Sequence, residues 1–417
     1  MLKKIAVRQL RLGMHVHKLE GRWIEHPFWK TRFVLDSADD LKSLQACGVR
    51  ECWIDVRLGL DVAAPAAEAP ATPARPPSAN VSPSPVRPPA AVPPPPPRAM
   101  EEELRQAAAI CQRGREAVVA MFGEARMGRS IDAAGCLPLV DDITQSVQRN
   151  PGALVSLARL KSQDDYTYMH SVAVCALMVA LGRQIGMDDE QCREAGLAGL
   201  MHDVGKARLP LEILNKPGKL TEDEWKQVRM HPQWGAELIQ GGQGAHAAVL
   251  DVALCHHERM DGRGYPRHLP AEQISRLARM GAICDVYDAI TSNRPYKAGW
   301  DPAESIARMA SWKGQFDEPL FAAFVQSLGI YPTGSVVKLS SERLAVVSEQ
   351  NAQSLVAPVV KVFYSLRSQM PMSPLRLDLS LPGCTDRIVG RHAVARGEFP
   401  HLDAIWAGQE VLSAAGR

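Results

Sequence analysis

No two cysteines of this chain stand at C-x-x-C spacing. The nine are scattered at positions 47, 52, 111, 136, 175, 192, 255, 284 and 384, which argues against zinc ribbons and thioredoxin-type redox motifs. Free thiols in a chain of 417 residues fit a reducing compartment. No stretch approaches the roughly 20 apolar residues of a membrane span. The opening MLKKIAVRQLRLGM lacks the apolar run of a signal peptide. These absences lead us to expect a cytoplasmic chain with no membrane span. Neither sign of charge dominates, with 48 Lys and Arg against 46 Asp and Glu. Composition therefore gives no reason to expect a nucleic acid polymer as partner. Apolar residues make up 46% and charged residues 23%, an ordinary globular balance that excludes a wholly disordered, collagen-like or disulfide-stapled chain. The length leaves room for two or three domains.

Large apolar residues almost vanish between residues 62 and 100, a segment that holds 14 of the 31 prolines. Such a stretch cannot bury a core and favours extended polyproline II. It reads as a linker, with a docking site for a polyproline-reading partner as the alternative. Residues 1–61 then form a small domain. Val7, Leu10, Leu12, Met14, Val16 and Leu19 partly alternate, which suggests strands. Ser37–Ala46 reads as a short helix capped by Ser37, and Val49–Val56 as a closing strand. His15, His17 and His26 lie here and read as surface histidines rather than metal ligands. From residue 101 to about 330 the pattern is helical. Acids open the first helix at Glu101–Glu103, where they oppose the helix dipole. Thr221 and Glu224 form a capping box, and Pro232 is expected to end the helix it opens. Further helices are expected over 189–204, 247–257 and 271–292. Ser335–Glu349 alternates like a hairpin, and 350–417 carries no clear pattern. The fold class expected is mainly α, with a small α/β or β-rich N-terminal domain and a short β-containing C-terminal extension.

Metal-type side chains recur along the helical region in an ordered series: His170, His202-Asp203, His231, His256-His257 and Asp285. Each follows the last by roughly one helix and its connection. His170 shares a helical stripe with Val174 and Leu177, so it points inward. A buried His or Asp needs a partner, and a divalent cation supplies one for all seven. Mixed imidazole and carboxylate donors suit Fe, Mn, Ni, Co or Zn. Seven ligands exceed a single tetrahedral zinc and suffice for two ions if one carboxylate bridges. Such a pair activates water and stabilises the leaving oxygen of a phosphodiester. Taken singly, each of these residues reads as a surface pair or a hydrogen-bonded core histidine; five ordered clusters do not. Lys206, Arg294 and Lys297 follow the ligands and could hold phosphate oxygens. Asp288, one turn after Asp285, could orient a ligand. In Asp261-Gly262-Arg263-Gly264-Tyr265-Pro266 the glycines allow tight backbone, and Tyr265 offers a ring for base stacking or for packing the loop.

The words YTYMHS (166–171), HDVGK (202–206), LNKPGKLTEDEW (214–225), MHP (230–232), HHERMDGRGYP (256–266) and CDVYDAITSNRPYK (284–297) resemble the HD-GYP cyclic di-GMP phosphodiesterases, a branch of the HD phosphohydrolases. The resemblance covers residues about 140–340. It implies a helical bundle that cleaves cyclic di-GMP to pGpG, and in some members on to GMP. It also implies metal ligation by His170, His202, Asp203, His231, His256, His257 and Asp285, with Asp203 bridging. Substrate-phosphate contacts are implied for Lys206, Arg294 and Lys297. Some members add a glutamate four residues before the first ligand histidine and hold a third ion; here that position is Tyr166, a poor ligand, so two ions are expected. LRLGMHV (10–16), W-x-x-H-P-F (23–28) and GVRECWID (48–55) resemble a domain of unknown function often fused ahead of HD-GYP domains, which implies a regulatory role.

The organisation expected is therefore a regulatory domain at 1–61, a linker at 62–100, a helical connector at 101–139, a catalytic domain at 140–340 and an extension at 341–417. The function expected is hydrolysis of cyclic di-GMP by hydroxide generated at two divalent ions, with Asp203 and Lys206 as the catalytic pair and Gly264 and Tyr265 beside the substrate. The rivals are a non-catalytic cyclic di-GMP receptor, docking a cyclase-domain protein through Gly264-Tyr265-Pro266, and an HD hydrolase of another nucleotide.

Overall fold

The computed structural model describes residues 2–19, 33–35, 41, 51–60, 98–160, 166–216, 218–242, 244, 246–292, 299–351, 353–395 and 397–415. The helix expected at Ser37–Ala46 lies, apart from Leu41, outside the described residues, as do His26, Arg294, Lys297 and nearly all of the proline-rich segment. The chain divides into two compact units, Met1–Pro94 and Pro95–Arg417.

The first unit holds a four-stranded antiparallel sheet. Its strands are β1 (Leu2–Ala6), β2 (His15–Leu19), β3 (Phe33–Val34) and β4 (Glu51–Asp55), in the order β1-β4-β2-β3. Strand β4 lies within the Val49–Val56 strand expected. The alternation from Val7 onward misplaces the first strand: β1 precedes it, and Val7–Gln9 is a 3-10 turn. Val7, Leu10, Met14 and Val16 are buried with Ile5, Leu35, Cys52 and Ile54, whereas Leu12 stays exposed in the turn before β2. The period of two breaks at Leu12 because this part of the chain is turn.

The second unit is helical up to Leu328, continues in a sheet and closes with two short helices, Leu402–Ala407 and Gln409–Ala414. Helices occupy Met100–Arg126, Leu137–Arg149, Pro151–Arg159, Tyr166–Gln184, Asp189–Met201, Leu211–Leu214, Glu222–Val228, His231–Gln240, Ala247–Cys255, Arg276–Thr291, Pro302–Ser311 and Glu318–Leu328. Several begin where the sequence supplies a cap. Asn150 accepts from Gly152 N, Asp188 and Gln191 form a capping box, and Ser275 and Asp301 accept from Ala278 N and Glu304 N. Thr221 and Glu224 close the expected box. The helix at 100–126 buries Leu104, Ala107, Val118 and Phe122 in the same core as the later helices. Its Glu103, wholly buried, accepts from Ser146 Oγ at 2.7 Å and from Arg149 at 2.7 and 2.9 Å, tying it to the helix at 137–149.

Several boundaries depart from expectation, each for a local reason. The helix from Asp189 stops at Met201, with His202 as its cap and a 3-10 turn at Val204–Arg208. The helix from Ala247 stops at Cys255, capped by His256. Residues 271–292 split into a 3-10 turn at Ala271–Gln273 and a helix from Arg276, because Ser275 caps the latter. Pro232 does not end a helix. It sits in the first turn of the helix at 231–240, where its missing N–H has no bond to lose.

After the helices, β5 (Val336–Leu339), β6 (Arg343–Glu349), β7 (Val359–Ser365), β8 (Met370–Asp378) and β9 (Ile388–Arg391) form an antiparallel sheet in the order β8-β7-β6-β5-β9. The expected hairpin is β5–β6, with residue 340 in its turn. Val336, Leu344 and Val346 face the helical core, while Val337, Ala345 and Val347 join Val360 and Val362 in a second small core. Both faces are covered, so β6 reads as a nearly continuous apolar run.

The 3-10 turn at 204–208 packs directly on the helix at 231–240. A Cβ on Gly205 would stand 1.9 Å from the His231 carbonyl oxygen and 2.5 Å from Gly235 N. Backbone on both sides cannot yield as a flexible side chain could. Gly205→Ala should lower unfolding free energy by about 3 kcal/mol, read by denaturant unfolding. A loss below about 1 kcal/mol would contradict this contact.

Candidate metal centre

Five separate elements deliver the seven candidate ligands to one buried place. His170 lies mid-helix in Tyr166–Gln184, and Asp285 mid-helix in Arg276–Thr291. His202 and His256 are the C-caps of their helices, Asp203 begins the 3-10 turn, and His231 opens the helix at 231–240. All but the half-buried His257 are buried, with His202 wholly so and Asp203 1% exposed.

The donors fall into two groups, Asp203 with His231, His256 and His257, and His170 with His202 and Asp285, each with its ligand atoms within 4.8 Å of one another. Asp203 reaches both. Its Oδ1 lies 3.2 Å from His231 Nε2 and 3.7 Å from His256 Nε2. Its Oδ2 lies 3.4 Å from His202 Nε2 and 3.5 Å from His170 Nε2. Counting one oxygen of Asp203 in each set, two places each see four protein donors.

Outer contacts aim the imidazoles. His202 Nδ1 donates to Gly199 O at 2.7 Å, His231 Nδ1 to Val228 O at 2.6 Å, and His256 Nδ1 to Val252 O and Ala253 O at 3.0 and 3.1 Å. Each bond fixes the tautomer and turns Nε2 toward the centre. His170 Nδ1 meets Asp288 Oδ2 at 2.6 Å, while its Nε2 lies 2.9 Å from Asp285 Oδ1. Asp288, singled out in the sequence, thus sits behind a candidate ligand.

This donor set fits cations. With both Nδ1 protons given to carbonyls, neutral His231 and His256 present lone pairs to each other at 3.3 Å, an arrangement only a shared positive charge makes favourable. His202 Nε2 and Asp203 Oδ1 are buried and have no hydrogen-bond partner among the described residues, which is costly for polar atoms. Protonation states suit ligation at His231, His256, His257, Asp203 and Asp285, but not at His202. Burial pushes His231 down, and burial with the neighbouring His257 holds His256 well below its usual range. Burial brings His257 down to about 3, despite the opposing Asp285. Burial pushes the Asp203 carboxyl up, but Lys206 and His202 outweigh it and hold the group well below the usual carboxylate range. Asp285 is held low likewise, by His170 and His202. For His202, burial is outweighed by Asp203 and Asp285, which raise it to about 10.

The remaining sequence-selected residues divide. Lys206 Nζ pairs with Asp203 Oδ2, facing the centre. Gly264 is buried, and a Cβ there would come within 2.6 Å of Arg259 N, Glu258 Cα and His257 O, so only glycine fits. Tyr265 stacks on the His257 ring, centroids 4.6 Å apart and 28° between planes. Arg294 and Lys297 lie outside the described residues, and of Tyr166 only its place at the start of the helix at 166–184 is described. Sequence reasoning missed Glu258. It is buried and accepts from Arg267 N at 2.7 Å and Leu269 N at 3.1 Å, pinning the glycine-rich loop. A buried carboxylate serving only backbone N–H groups leaves no signature in spacing. Trp225 and Arg229, which extend outward from Tyr265, were also missed.

The family models match in two blocks: a domain of unknown function (DUF3391) over residues 2–136 and an HD domain over 145–320. The chain is 54% identical to the cyclic di-GMP phosphodiesterase PA4108 of Pseudomonas aeruginosa, over 98% of this chain and 96% of that protein. It is 37% identical to the cyclic di-GMP phosphodiesterase response regulator RpfG of Xanthomonas campestris pv. campestris, over 43% of this chain and 48% of that protein. It is 35% identical to a 3'3'-cGAMP-specific phosphodiesterase of Vibrio cholerae, over 45% of this chain and 44% of that protein. Fold and site define a metal-dependent phosphodiesterase of the HD type. The chain belongs to the HD-GYP family of cyclic di-GMP phosphodiesterases.

Asp288→Asn keeps the shape but removes the charge behind His170. It should weaken metal affinity or activity 10- to 100-fold, measured by metal titration. Unchanged affinity would mean that Asp288 does not orient the ligand.

Proposed function

We propose that this chain hydrolyses cyclic di-GMP to pGpG at a two-ion centre, in the cytoplasm. The observation that carries the reading is the division of the donors around Asp203, one carboxylate oxygen toward each set. One ion would be held by Asp203, His231, His256 and His257, and the other by Asp203, His170, His202 and Asp285, with Fe, Mn, Ni, Co or Zn suited to these donors. A bound pair supplies Lewis acidity, which makes water acidic enough to serve as nucleophile near neutral pH and offsets charge building on the phosphate.

The chain's own residues do the rest. Asp288 and the carbonyls of Gly199, Val228, Val252 and Ala253 hold four imidazoles in place, so little reorganisation is required on binding. Lys206 is proposed to turn from Asp203 to a non-bridging phosphate oxygen, and Arg294 and Lys297 to hold the same phosphate. Gly264 lets backbone approach closely, and Tyr265 packs against a ligand histidine, restricting water on that side. The helix at 166–184 opens on Tyr166 where a carboxylate would serve a third ion, which favours pGpG as the accumulating product. The unit at 1–61 is proposed to regulate the catalytic domain at 140–340 across the 62–100 linker, with 101–139 as connector and 341–417 as extension. Among the described residues no helix is long and apolar enough to cross a membrane.

Two measurements test this. Asp203→Asn should lower cyclic di-GMP hydrolysis by at least about 1000-fold, since it weakens both ion sites at once; turnover within tenfold of the parent would sink the site. Chelator treatment should abolish activity, and metal analysis of reactivated protein should give about two ions per chain. A firmly held third ion, or GMP as the main product, would contradict the role given to position 166. Binding of cyclic di-GMP without turnover across the five metals would establish the receptor reading instead.

A further inference from the structure

Outside the ligand set, three side chains follow one another outward from the centre. Tyr265 lies on the His257 ring at 4.6 Å. The Arg229 guanidinium carbon lies 5.5 Å from the centre of the Tyr265 ring and 5.7 Å from that of Trp225. Trp225 and Arg229 are one helical turn apart, joined by the bond from Arg229 N to Trp225 O at 3.0 Å. The indole is 45% exposed, unusual for a ring of this size with no core to join. Arg229 is exposed too, and its guanidinium makes no ion pair or hydrogen bond to another described residue. Nearby acids are already engaged, Asp223 by Lys226 and Glu224 by Lys216. Engaged only with ring faces, the guanidinium keeps its N–H fork free to recognise a ligand.

An open indole face and a free N–H fork, two rings from the metal centre, match one chemical class. A purine stacks on the indole, and guanine in particular presents O6 and N7, the pair of acceptors that an arginine fork meets bidentately. Adenine offers an N6 amino donor at that edge, which arginine cannot satisfy. We propose that Trp225 and Arg229 bind one guanine base of the substrate and set the preference for guanine over adenine. This rests on the phosphodiesterase reading above and adds the base contact that the phosphate-directed centre lacks.

The test compares metal-loaded parent, Arg229→Gln and Trp225→Leu on cyclic di-GMP, cyclic di-AMP and bis(p-nitrophenyl) phosphate, a phosphodiester without a base. Glutamine is the residue that pairs with adenine's N6 and N7. Arg229→Gln should lower kcat/KM for cyclic di-GMP about 10- to 100-fold, mainly through KM, and shift the cyclic di-GMP to cyclic di-AMP preference by at least about tenfold. Its loss on the base-free ester should be at least tenfold smaller. Trp225→Leu should raise KM for both cyclic dinucleotides with little change in their ratio, because stacking is tolerant of base identity. Equal losses of Arg229→Gln on all three substrates would overturn the proposal and assign Arg229 to phosphate or to packing. A parent enzyme that cleaves the base-free ester but not cyclic di-GMP would overturn the substrate reading and the base contact with it. Cyclic di-GMP turnover with an unmoved base ratio would overturn the base contact alone.

Discussion

A single carboxylate placed between two sets of imidazoles governs the architecture of the second unit. Asp203 is all but excluded from water, yet one of its oxygens has no hydrogen-bond partner among the described residues. Lys206 pairs with the other oxygen, which His202 Nε2 and His170 Nε2 also approach, at 3.4 and 3.5 Å. A buried anion in this state gains from further positive charge, and His231 and His256, whose Nδ1 protons are given to carbonyls, turn lone pairs inward to share such a charge. The helix at 166–184 is buried on every side from Met169 to Gly182, and the imidazole it carries inward, His170, converges on this point.

Placement of ligands at helix ends joins folding to chemistry. The carbonyls of a helix's last turn lack intrahelical partners. His202 and His256 each follow a helix directly, and His231 follows the helix at 222–228 within a few residues; each donates Nδ1–H to a carbonyl of that last turn. One bond therefore satisfies a helix end, selects the tautomer and points Nε2 at the centre. The same geometry explains why these helices stop where they do: the residue that would extend the helix is used as its cap. His170 and Asp285, held mid-helix, need a different anchor, which Asp288 supplies to His170 one turn beyond Asp285.

Residues whose function depends on periodic placement were legible. His170 shares a stripe with buried Val174 and Leu177, and the recurrence of metal-type side chains at one-helix intervals predicted convergence that the coordinates contain. A capping box announced the helix start at Thr221 and Glu224. Helix ends were less legible, since an imidazole that caps through its own ring resembles one more helical residue. The sheet beyond residue 350 was not legible at all. Strand β7 is buried or half-buried at every position, while β8 is exposed along most of its length, so neither shows the half-buried alternation that marks a strand. In the first unit, Val7, Leu10, Met14 and Val16 are buried as expected but Leu12 is exposed, because part of this stretch is turn rather than strand.

The centre itself is built to engage a phosphodiester, and nothing in its donor set senses which base the phosphodiester carries. Imidazoles and carboxylates arranged around cations act on phosphate oxygens and water. Discrimination must therefore come from side chains outside the ligand shell yet rigidly tied to it. The loop from Glu258 to Leu269 provides such a tie: Glu258 fixes its far end through two backbone N–H groups, Gly264 allows the tight return, and Tyr265 N donates to His257 O at 3.2 Å. Tyr265 is thereby placed against a ligand on one side and under the Arg229 guanidinium. On the proposed reading, selectivity and metal binding share one imidazole, His257, as their point of contact, so changes at Tyr265 would alter both, whereas changes at Arg229 and Trp225 would act on the base without touching a proposed ligand.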